Sequence, residues 1–254
     1  MDHNMQLVLV TALGIGGATI AGAIMGFLLP NGSRKLNDIL MGFAAGVMMA
    51  AAVVGLILPA MEGTGKEGIW IVGVGILCGA LLLNMLDKLM PHLHHLSGVD
   101  SEAHHNGNID KILLFVFAIA LHNLPEGLAA GVSFGGENIG NAISVAVGIA
   151  LQNIPEGMII ISPMLLAGMS KRRTFAIASV TGLIEVVGTF LGYAATSIAA
   201  SVLPFALSLA GGTMLYVVSD EMIPETHSHG NELAATYALL GGFFLMLVMN
   251  AWIG

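Results

Sequence analysis

Eight apolar stretches, each long enough to cross a lipid bilayer as a helix, take up most of this 254-residue chain. The hydrocarbon core of a bilayer is roughly 30 Å thick and takes about 20 helical residues to cross. Charged residues make up 9% of the chain and hydrophobic residues 56%, whereas soluble domains carry roughly 25% charged residues. The sequence therefore predicts an all-α integral membrane protein. The predicted spans are residues 5–29, 38–60, 69–89, 111–134, 139–169, 174–199, 203–226 and 231–253.

The distribution of basic residues predicts how these spans are oriented. We expect one transmembrane domain over residues 1–254, with a cytoplasmic His-rich loop at 90–110 between the third and fourth spans. Eight spans place successive loops on alternate sides, and cytoplasmic loops carry an excess of Lys and Arg. Both termini are therefore predicted to face away from the cytoplasm, and the expected location is the cell (inner) membrane. Seven of the eight basic residues share the cytoplasmic side: Arg34, Lys35, Lys88, Lys111, Lys171, Arg172 and Arg173.

A seven-residue motif occurs in the fourth span and again in the fifth. Leu-His-Asn-Leu-Pro-Glu-Gly at 121–127 is matched by Leu-Gln-Asn-Ile-Pro-Glu-Gly at 151–157, with an offset of 30 residues throughout. The short connection between the two spans makes them antiparallel neighbours, so the motif crosses the membrane in both directions. Inverted copies that contain helix-breaking Gly and Pro are typical of transporters with a binding site near the midplane.

Each copy of the motif places metal-binding side chains on one helix face. His122 and Glu126 are four residues apart, as are Gln152 and Glu156, and side chains at that spacing share a face. One imidazole, two carboxylates and neighbouring amide oxygens suit a divalent first-row metal ion better than an alkali ion. An ionisable side chain at the centre of a span costs on the order of 2.5–3.5 kcal/mol, so we interpret these residues as functional rather than structural.

Two further residues extend this predicted site. Glu185 lies deep in the sixth span with no basic residue near it in sequence. We interpret it as a third carboxylate that converges on the same metal ions, and the alternative is a protonated carboxyl in a neutral hydrogen bond. Met48 offers a thioether from the second span, although most of the 16 methionines are expected to be apolar filler.

Histidines and carboxylates near the predicted span ends are candidates for metal entrance and exit. The loop after the third span is rich in histidine, and such tracts bind and exchange metal ions, although a merely polar linker is an alternative. A second group of acidic residues and histidines, from Asp220 to His229, ends the seventh span on the same side. Asp38 and Glu62 are equally compatible with ordinary helix-end charges. The entrance and exit candidates are Asp38, Glu62, His92, His94, His95, Asp220, Glu221, His227 and His229.

The eight spans, the His-rich loop and the paired motif resemble the ZIP (Zrt/Irt-like protein) family of divalent metal-ion transporters, and within it the bacterial zinc transporters of the ZupT and GufA kind. The resemblance implies a 3+2+3 helix bundle with inverted repeats around a two-metal site, with Glu126 and Glu156 as bridging ligands. It implies a first metal lined by His122, Glu126, Gln152 and Glu156, with Met48 nearby. It implies a second metal lined by Asn123, Glu126, Asn153, Glu156 and Glu185.

Two positions depart from the pattern that the resemblance implies. Many members of the family have a second histidine where this chain has Gln152, and some have an aspartate where it has Asn153. Both changes weaken the donor set, since an amide oxygen is neither as basic as an imidazole nor as negative as a carboxylate. The preference among metal ions and the occupancy of the second position are therefore open.

These observations predict transport of divalent transition-metal ions, most directly zinc uptake toward the cytoplasm by alternating access. Zn²⁺ is the expected substrate, with Cd²⁺, Fe²⁺ and Mn²⁺ open, and no catalytic cofactor or nucleic-acid partner is expected. The expected partners are the metal ions and the lipid bilayer, and the glycine-rich spans also suggest a homodimer. The alternative is a membrane-embedded metal-dependent hydrolase, because His and Glu at a metal ion can activate water, although a His-Glu-x-x-His motif is absent.

Overall fold

A computed structural model shows the arrangement of these spans. It describes residues 3–28, 33–66, 68–96, 122–136, 138–166, 168–198 and 200–254, which form helices and turns and contain no β-strand. The helices are α1 (His3–Gly26), α2 (Arg34–Thr64), α3 (Ile69–Leu96), α4 (122–133), α5 (Ile139–Leu166), α6 (Lys171–Ile198), α7 (Leu203–Thr226) and α8 (Glu232–Ile253).

The helices agree with the predicted spans. Within the described residues, seven helices are long and apolar enough to cross a membrane. The eighth, α4, is described only from residue 122, so the first half of the predicted span 111–134 lies outside the described residues. The predicted all-α membrane class is confirmed.

The predicted start of the His-rich loop was wrong. Helix α3 continues to Leu96, seven residues past the predicted end of the span at 89, so His92, His94 and His95 belong to a helix and not to a loop. Pro91 lies within this helix, although proline lacks a backbone N–H. A single missing donor is tolerated when neighbouring groups can replace it. The remaining loop residues, 97–110, lie outside the described residues.

Glycines lie at the contacts of four helix pairs, and also where α1 meets α6. A Cβ atom added to Gly131 would overlap the backbone of Thr189, which joins α4 to α6, and one added to Gly46 would overlap the backbone of Leu239, which joins α2 to α8. Glycines in the same way join α1 to α5 and α3 to α7. Small residues allow membrane helices this close approach, and the glycines that suggested a homodimer thus serve packing within one chain.

The direction of these pairs supports the predicted alternation of eight spans. Gly127 faces Glu185 and Gly131 faces Thr189, so the residue numbers rise together and α4 runs parallel to α6. The same comparison makes α1 parallel to α5, α2 to α8 and α3 to α7. Each of these four parallel pairs joins two odd-numbered or two even-numbered spans, as alternating crossings require.

The helices form two bundles, and the interface between the bundles includes glycine contacts to side chains. Helix α1 packs against α5 and α6 to form one bundle with α4, and α2, α3, α7 and α8 form the other. Where α5 meets the second bundle, a Cβ on Gly148 would contact the side chain of Met246 and one on Gly55 would contact the side chain of Val145. Within the bundles the corresponding contacts are mostly to backbone, with a backbone contact across the interface at Gly140 near one end.

Helices α2 and α7 each contain a π-helical segment that is followed by a proline. The segments are Ala51–Ile57 and Val218–Met222, and Pro59 and Pro224 come two residues after them. A proline leaves the carbonyl four residues earlier without its donor. In α2 that carbonyl belongs to Gly55, and the Asn141 side-chain amide donates to it at 2.9 Å. The matching positions in α2 and α7 support the predicted inverted repeat of three helices.

Candidate metal centre

The two copies of the motif meet in the first bundle through a direct hydrogen bond. Gln152 in α5 donates its Nε2 to Glu126 Oε1 in α4 across 2.7 Å. Both side chains are fully buried. The prolines at 125 and 155 lie within these helices, and each lacks the backbone N–H that would bond to the carbonyl four residues earlier. The inverted repeat thus places one carboxylate and one amide, from opposite helices, in contact.

Glu185 in α6 is the centre of a second group of hydrogen bonds. Its Oε1 accepts from Thr19 Oγ1 at 2.7 Å and from Asn123 Nδ2 at 2.5 Å. Its Oε2 accepts from Asn153 Nδ2 at 2.5 Å. A carboxylate offers about four lone-pair sites, so these three donors use most of its capacity. Glu185 therefore ties α1, α4, α5 and α6 together.

Several oxygens of this network have no hydrogen-bond partner among the described residues. Seven buried side-chain atoms there are unpaired, and four of them belong to this site: Asn123 Oδ1, Glu126 Oε2, Gln152 Oε1 and Asn153 Oδ1. The amide nitrogens of Asn123, Gln152 and Asn153 donate to carboxylates, so the amide oxygens of these three side chains point away from those carboxylates. A buried oxygen without a partner costs roughly 1–3 kcal/mol, and here the cost is concentrated at one place.

His122 and Glu156 lie at the more open side of the network. His122 Nε2 is 2.7 Å from Glu221 Oε1 in the π-helical segment of α7, and the two side chains are 12% and 28% exposed. Glu156 is half-buried and close enough to His122, Glu126 and Glu185 to interact electrostatically with all three. The site is therefore buried around Glu185 and partly exposed to solvent around Glu221.

The remaining candidates occupy other positions. Asp38 Oδ1 is 3.0 Å from His229 Nδ1, and Asn231 Nδ2 donates to Asp38 Oδ2 at 2.8 Å. This contact joins the start of α2 to the turn after α7. His227 is bonded through Nδ1 to the Ile223 carbonyl at 2.8 Å.

The last three of the predicted residues lie apart from the polar network. Glu62 is exposed near the end of α2, Asp220 is exposed in the π-helical segment of α7, and Met48 is buried in the hydrophobic core between helices.

Thr19 and the Ile15 carbonyl in α1 are parts of the network that the sequence analysis did not identify. Asn153 Nδ2 donates to the Ile15 carbonyl at 3.2 Å in addition to Glu185. The available signal was weak: Thr19 is one of two threonines in an apolar span, four residues after Ile15, with nothing to link it to the repeated motif.

Amide side chains are an essential part of this arrangement. Within the part of the chain that the structure describes, no three His, Cys, Asp or Glu side chains are grouped as a metal site. The buried carboxylates are grouped with asparagine or glutamine, as at Glu126 with Gln152 and at Glu185 with Asn123 and Asn153. Any cation held here therefore depends on amide oxygens as well as carboxylates.

Known proteins resemble this chain along nearly its whole length. The family model described as ZIP zinc transporter matches residues 99–250, which is more than half of the chain. The zinc transporter GufA of Myxococcus xanthus is 41% identical over 252 residues, covering 97% of this chain and 98% of its own. The chain belongs to the ZIP family. Zinc transporter ZIPB of Bordetella bronchiseptica is 37% identical over 93% of this chain and 78% of its own. Zinc transporter ZupT of Chlorobaculum parvum is 31% identical over 98% of each chain.

Membership of the ZIP family confirms the resemblance stated from the motif and the prediction of a metal-ion transporter. The hydrolase alternative receives no support, because the family and these relatives are transporters. A divalent metal ion is therefore the substrate of the protein and not a catalytic cofactor.

Proposed function

We propose that this ZIP protein carries zinc ions toward the cytoplasm past the polar network of α4, α5 and α6. The observation that carries the proposal is the group of four buried oxygens without hydrogen-bond partners among the described residues: Asn123 Oδ1, Glu126 Oε2, Gln152 Oε1 and Asn153 Oδ1. A cation among them accepts their lone pairs and removes the cost of leaving them unpaired. All four oxygens belong to residues of the two motif copies, 121–127 and 151–157.

The donor chemistry favours a transition-metal ion over calcium or an alkali ion. His122 supplies an imidazole, which zinc binds readily, and Glu126 and Glu156 supply one carboxylate from each motif copy. The three relatives are named zinc transporters, which supports the same substrate. We expect Glu126 and Glu156 to bridge two ions, with Asn123, Asn153 and Glu185 at the second position. Gln152 makes the first position weaker than an imidazole would.

The proposed ligands are held by one another until an ion replaces those contacts. Gln152 occupies Glu126 Oε1, and Glu221 occupies the Nε2 atom of His122. An arriving ion exchanges these hydrogen bonds for coordination, so the ligands need only small rotations. Because histidine and carboxylates must be deprotonated to bind metal, we expect the flux to depend on pH.

The two bundles provide a physical basis for alternating access. Backbone-to-backbone glycine contacts make each bundle rigid, whereas side-chain contacts such as Gly148 with Met246 lie at the interface between the bundles. Side chains can change rotamer as one bundle moves against the other, and closely packed backbones cannot. The network is carried by the first bundle, apart from Glu221 in the second. We propose that the ion moves with the first bundle.

The side on which the network is open supports release toward the cytoplasm. Glu221 lies near the end of α7, and the contact between His229 and Asp38 places that end beside the start of α2. Arg34 and Lys35 begin α2 and mark the predicted cytoplasmic side. We propose Glu221 as the first acceptor on the exit path, followed by His229 and Asp38. Among the described residues, no contact of Met48, Glu62, Asp220 or His227 strengthens their assignment as metal ligands.

Zinc uptake into proteoliposomes tests the proposed function. Purified protein is reconstituted in vesicles that contain a zinc-sensitive dye, and zinc is added outside. We expect a saturable flux, which Cd²⁺, Fe²⁺ and Mn²⁺ compete with to different extents. Empty vesicles serve as the control. If vesicles with and without folded protein take up zinc at the same rate, the proposal is wrong.

The proposed orientation needs a separate measurement. The chain has one cysteine, Cys78, so Cys78→Ser gives a background for single-cysteine labelling. We expect a membrane-impermeant maleimide added to intact cells to label Gly254→Cys and to leave Lys35→Cys unlabelled until the membrane is opened. The reverse pattern would place the termini in the cytoplasm.

A further inference from the structure

We propose that Thr19 is a positioning residue for metal binding, because through Glu185 it fixes the side-chain amides of Asn123 and Asn153 with their oxygens toward the metal ion. This inference rests on the proposed function. Thr19 lies in α1, outside the repeated motif, and is 1% exposed. Its hydroxyl donates to Glu185 Oε1 at 2.7 Å, whereas its distance to the Ile15 carbonyl of its own helix is 3.4 Å.

The chemistry of the amides makes their orientation depend on Glu185. A carboxylate accepts hydrogen bonds and cannot donate them when ionised, so an asparagine beside it presents its NH₂ group. Asn123 and Asn153 both do so, to Oε1 and Oε2 respectively. Each Oδ1 is then directed away from Glu185, and each is buried without a hydrogen-bond partner among the described residues. One carboxylate therefore sets the direction of two proposed metal-binding oxygens.

Thr19 holds that carboxylate from α1, which carries neither copy of the motif. Asn123 and Asn153 come from α4 and α5, so a donor from α1 is needed to fix the rotation of the Glu185 side chain about its own axis. The second hydrogen of the Asn153 amide goes to the Ile15 carbonyl, one helical turn before Thr19. Helix α1 thus supplies one donor and one acceptor, at residues 15 and 19, which lie on one face of the helix.

Glycines keep α1 close enough for this contact. A Cβ on Gly157, directly after Glu156, would overlap the backbone carbonyl of Thr19. A Cβ on Gly182 would lie 2.7 Å from the Gly16 carbonyl oxygen and 3.2 Å from Thr19 Cβ. Gly157 and Gly182 have no side chain at the points where α1 approaches α5 and α6 most closely. This close approach brings the Thr19 hydroxyl within reach of Glu185.

Two pairs of variants isolate the hydroxyl from the packing of the side chain. Thr and Thr19→Val differ by a hydroxyl in place of a methyl group, and Thr19→Ser and Thr19→Ala differ only by the hydroxyl. We expect Thr19→Val and Thr19→Ala to raise the KM for zinc about tenfold, as for the loss of a hydrogen bond to a charged group. Maximal rates should change less than about twofold, and Thr19→Ser should restore a KM within about twofold of the parent.

Thr181→Val is a matched control for these variants. Thr181 lies in α6 and is also 1% exposed, but its hydroxyl donates to the Ala178 carbonyl of its own helix at 2.8 Å. We expect it to leave the KM unchanged. The measurement is zinc uptake into proteoliposomes, with thermal unfolding in detergent to confirm that each variant is folded.

The outcomes separate this inference from the proposed function. Absence of zinc flux in the parent protein would remove the proposed function itself. Flux in the parent with an unchanged KM in Thr19→Val, or with equal impairment in Thr19→Ser and Thr19→Ala, would assign Thr19 a packing role and overturn the inference. If Thr19→Val does not fold, the comparison of Thr19→Ser with Thr19→Ala decides, because those two side chains leave nearly the same space.

Discussion

Gln152 and Glu126, from opposite copies of the repeated motif, are joined by a 2.7 Å hydrogen bond in the interior of the first bundle. The bond uses Glu126 Oε1 and leaves Glu126 Oε2 and Gln152 Oε1 unpaired among the described residues. A neutral amide thus stabilises a buried carboxylate while both side chains keep an oxygen free. This arrangement satisfies the network only in part, which suits the proposed role of binding and then releasing an ion.

Removing either motif carboxylate should abolish most of the transport. Glu126→Gln and Glu156→Gln keep the size of each side chain but replace a negative oxygen by an amide group. We expect each to lower zinc uptake at least about tenfold, since even outer partners of metal ligands are worth that much. Glu232→Gln, at the exposed start of α8, is the control for loss of a carboxylate elsewhere. Near-normal uptake in both motif variants would remove the proposed site.

Replacing Gln152 by histidine should strengthen zinc binding. An imidazole is a better zinc ligand than an amide oxygen, and the amide now competes by bonding to Glu126. We expect Gln152→His to lower the KM for zinc about tenfold and to lower the KM for manganese less, because manganese prefers oxygen donors. Competition uptake measures both. A Gln6→His variant at the exposed start of α1 is the control and should change neither KM. If Gln152→His lowers the KM for zinc and for manganese equally, Gln152 has no role in selectivity.

The sequence was sufficient for the features that depend on composition and spacing. Apolar length predicted the helices because lipid thickness fixes the length of a span, and the spacing of His122 and Glu126 followed from helix geometry. The repeated motif at 121–127 and 151–157 predicted that both copies contribute to one site near the midplane. Each of these predictions depends on local rules.

Contacts between distant helices were beyond such rules. Thr19 binds Glu185 only because Gly157 and Gly182 let α1 approach α5 and α6, and 166 residues separate the two partners. The π-helical segments likewise cannot be read from Pro59 and Pro224 alone, because a proline is also compatible with a kink or a helix end. The side-chain amide that compensates Pro59 comes from Asn141 in another helix.

A side chain at Gly157 should destabilise the first bundle. The Cβ of Gly157→Ala would overlap the Thr19 carbonyl in α1, and overpacking of this kind costs typically about 1–3 kcal/mol. We expect the melting temperature in detergent to fall by several degrees, at about 2–4 °C for each kcal/mol. Gly17→Ala is the control, because no atom lies within 4 Å of a Cβ added there, and alanine favours the helix. Equal melting temperatures for the two variants would show that α1 moves aside without cost.

Neutralising Glu221 should slow the release of zinc rather than its capture. Glu221 is 2.7 Å from His122 and 28% exposed, so it lies between the proposed site and the predicted cytoplasmic solvent. Glu221→Gln keeps a polar partner for His122 but removes the charge that draws the ion outward from the network. We expect the maximal rate of zinc uptake to fall about tenfold, comparable to the loss of one hydrogen bond to a charged group, with a KM within about twofold of the parent. Asp220→Asn removes the neighbouring exposed carboxylate and should have a smaller effect on both quantities. An equal decrease in the two variants would mean that the overall negative charge of this end matters and the contact with His122 does not.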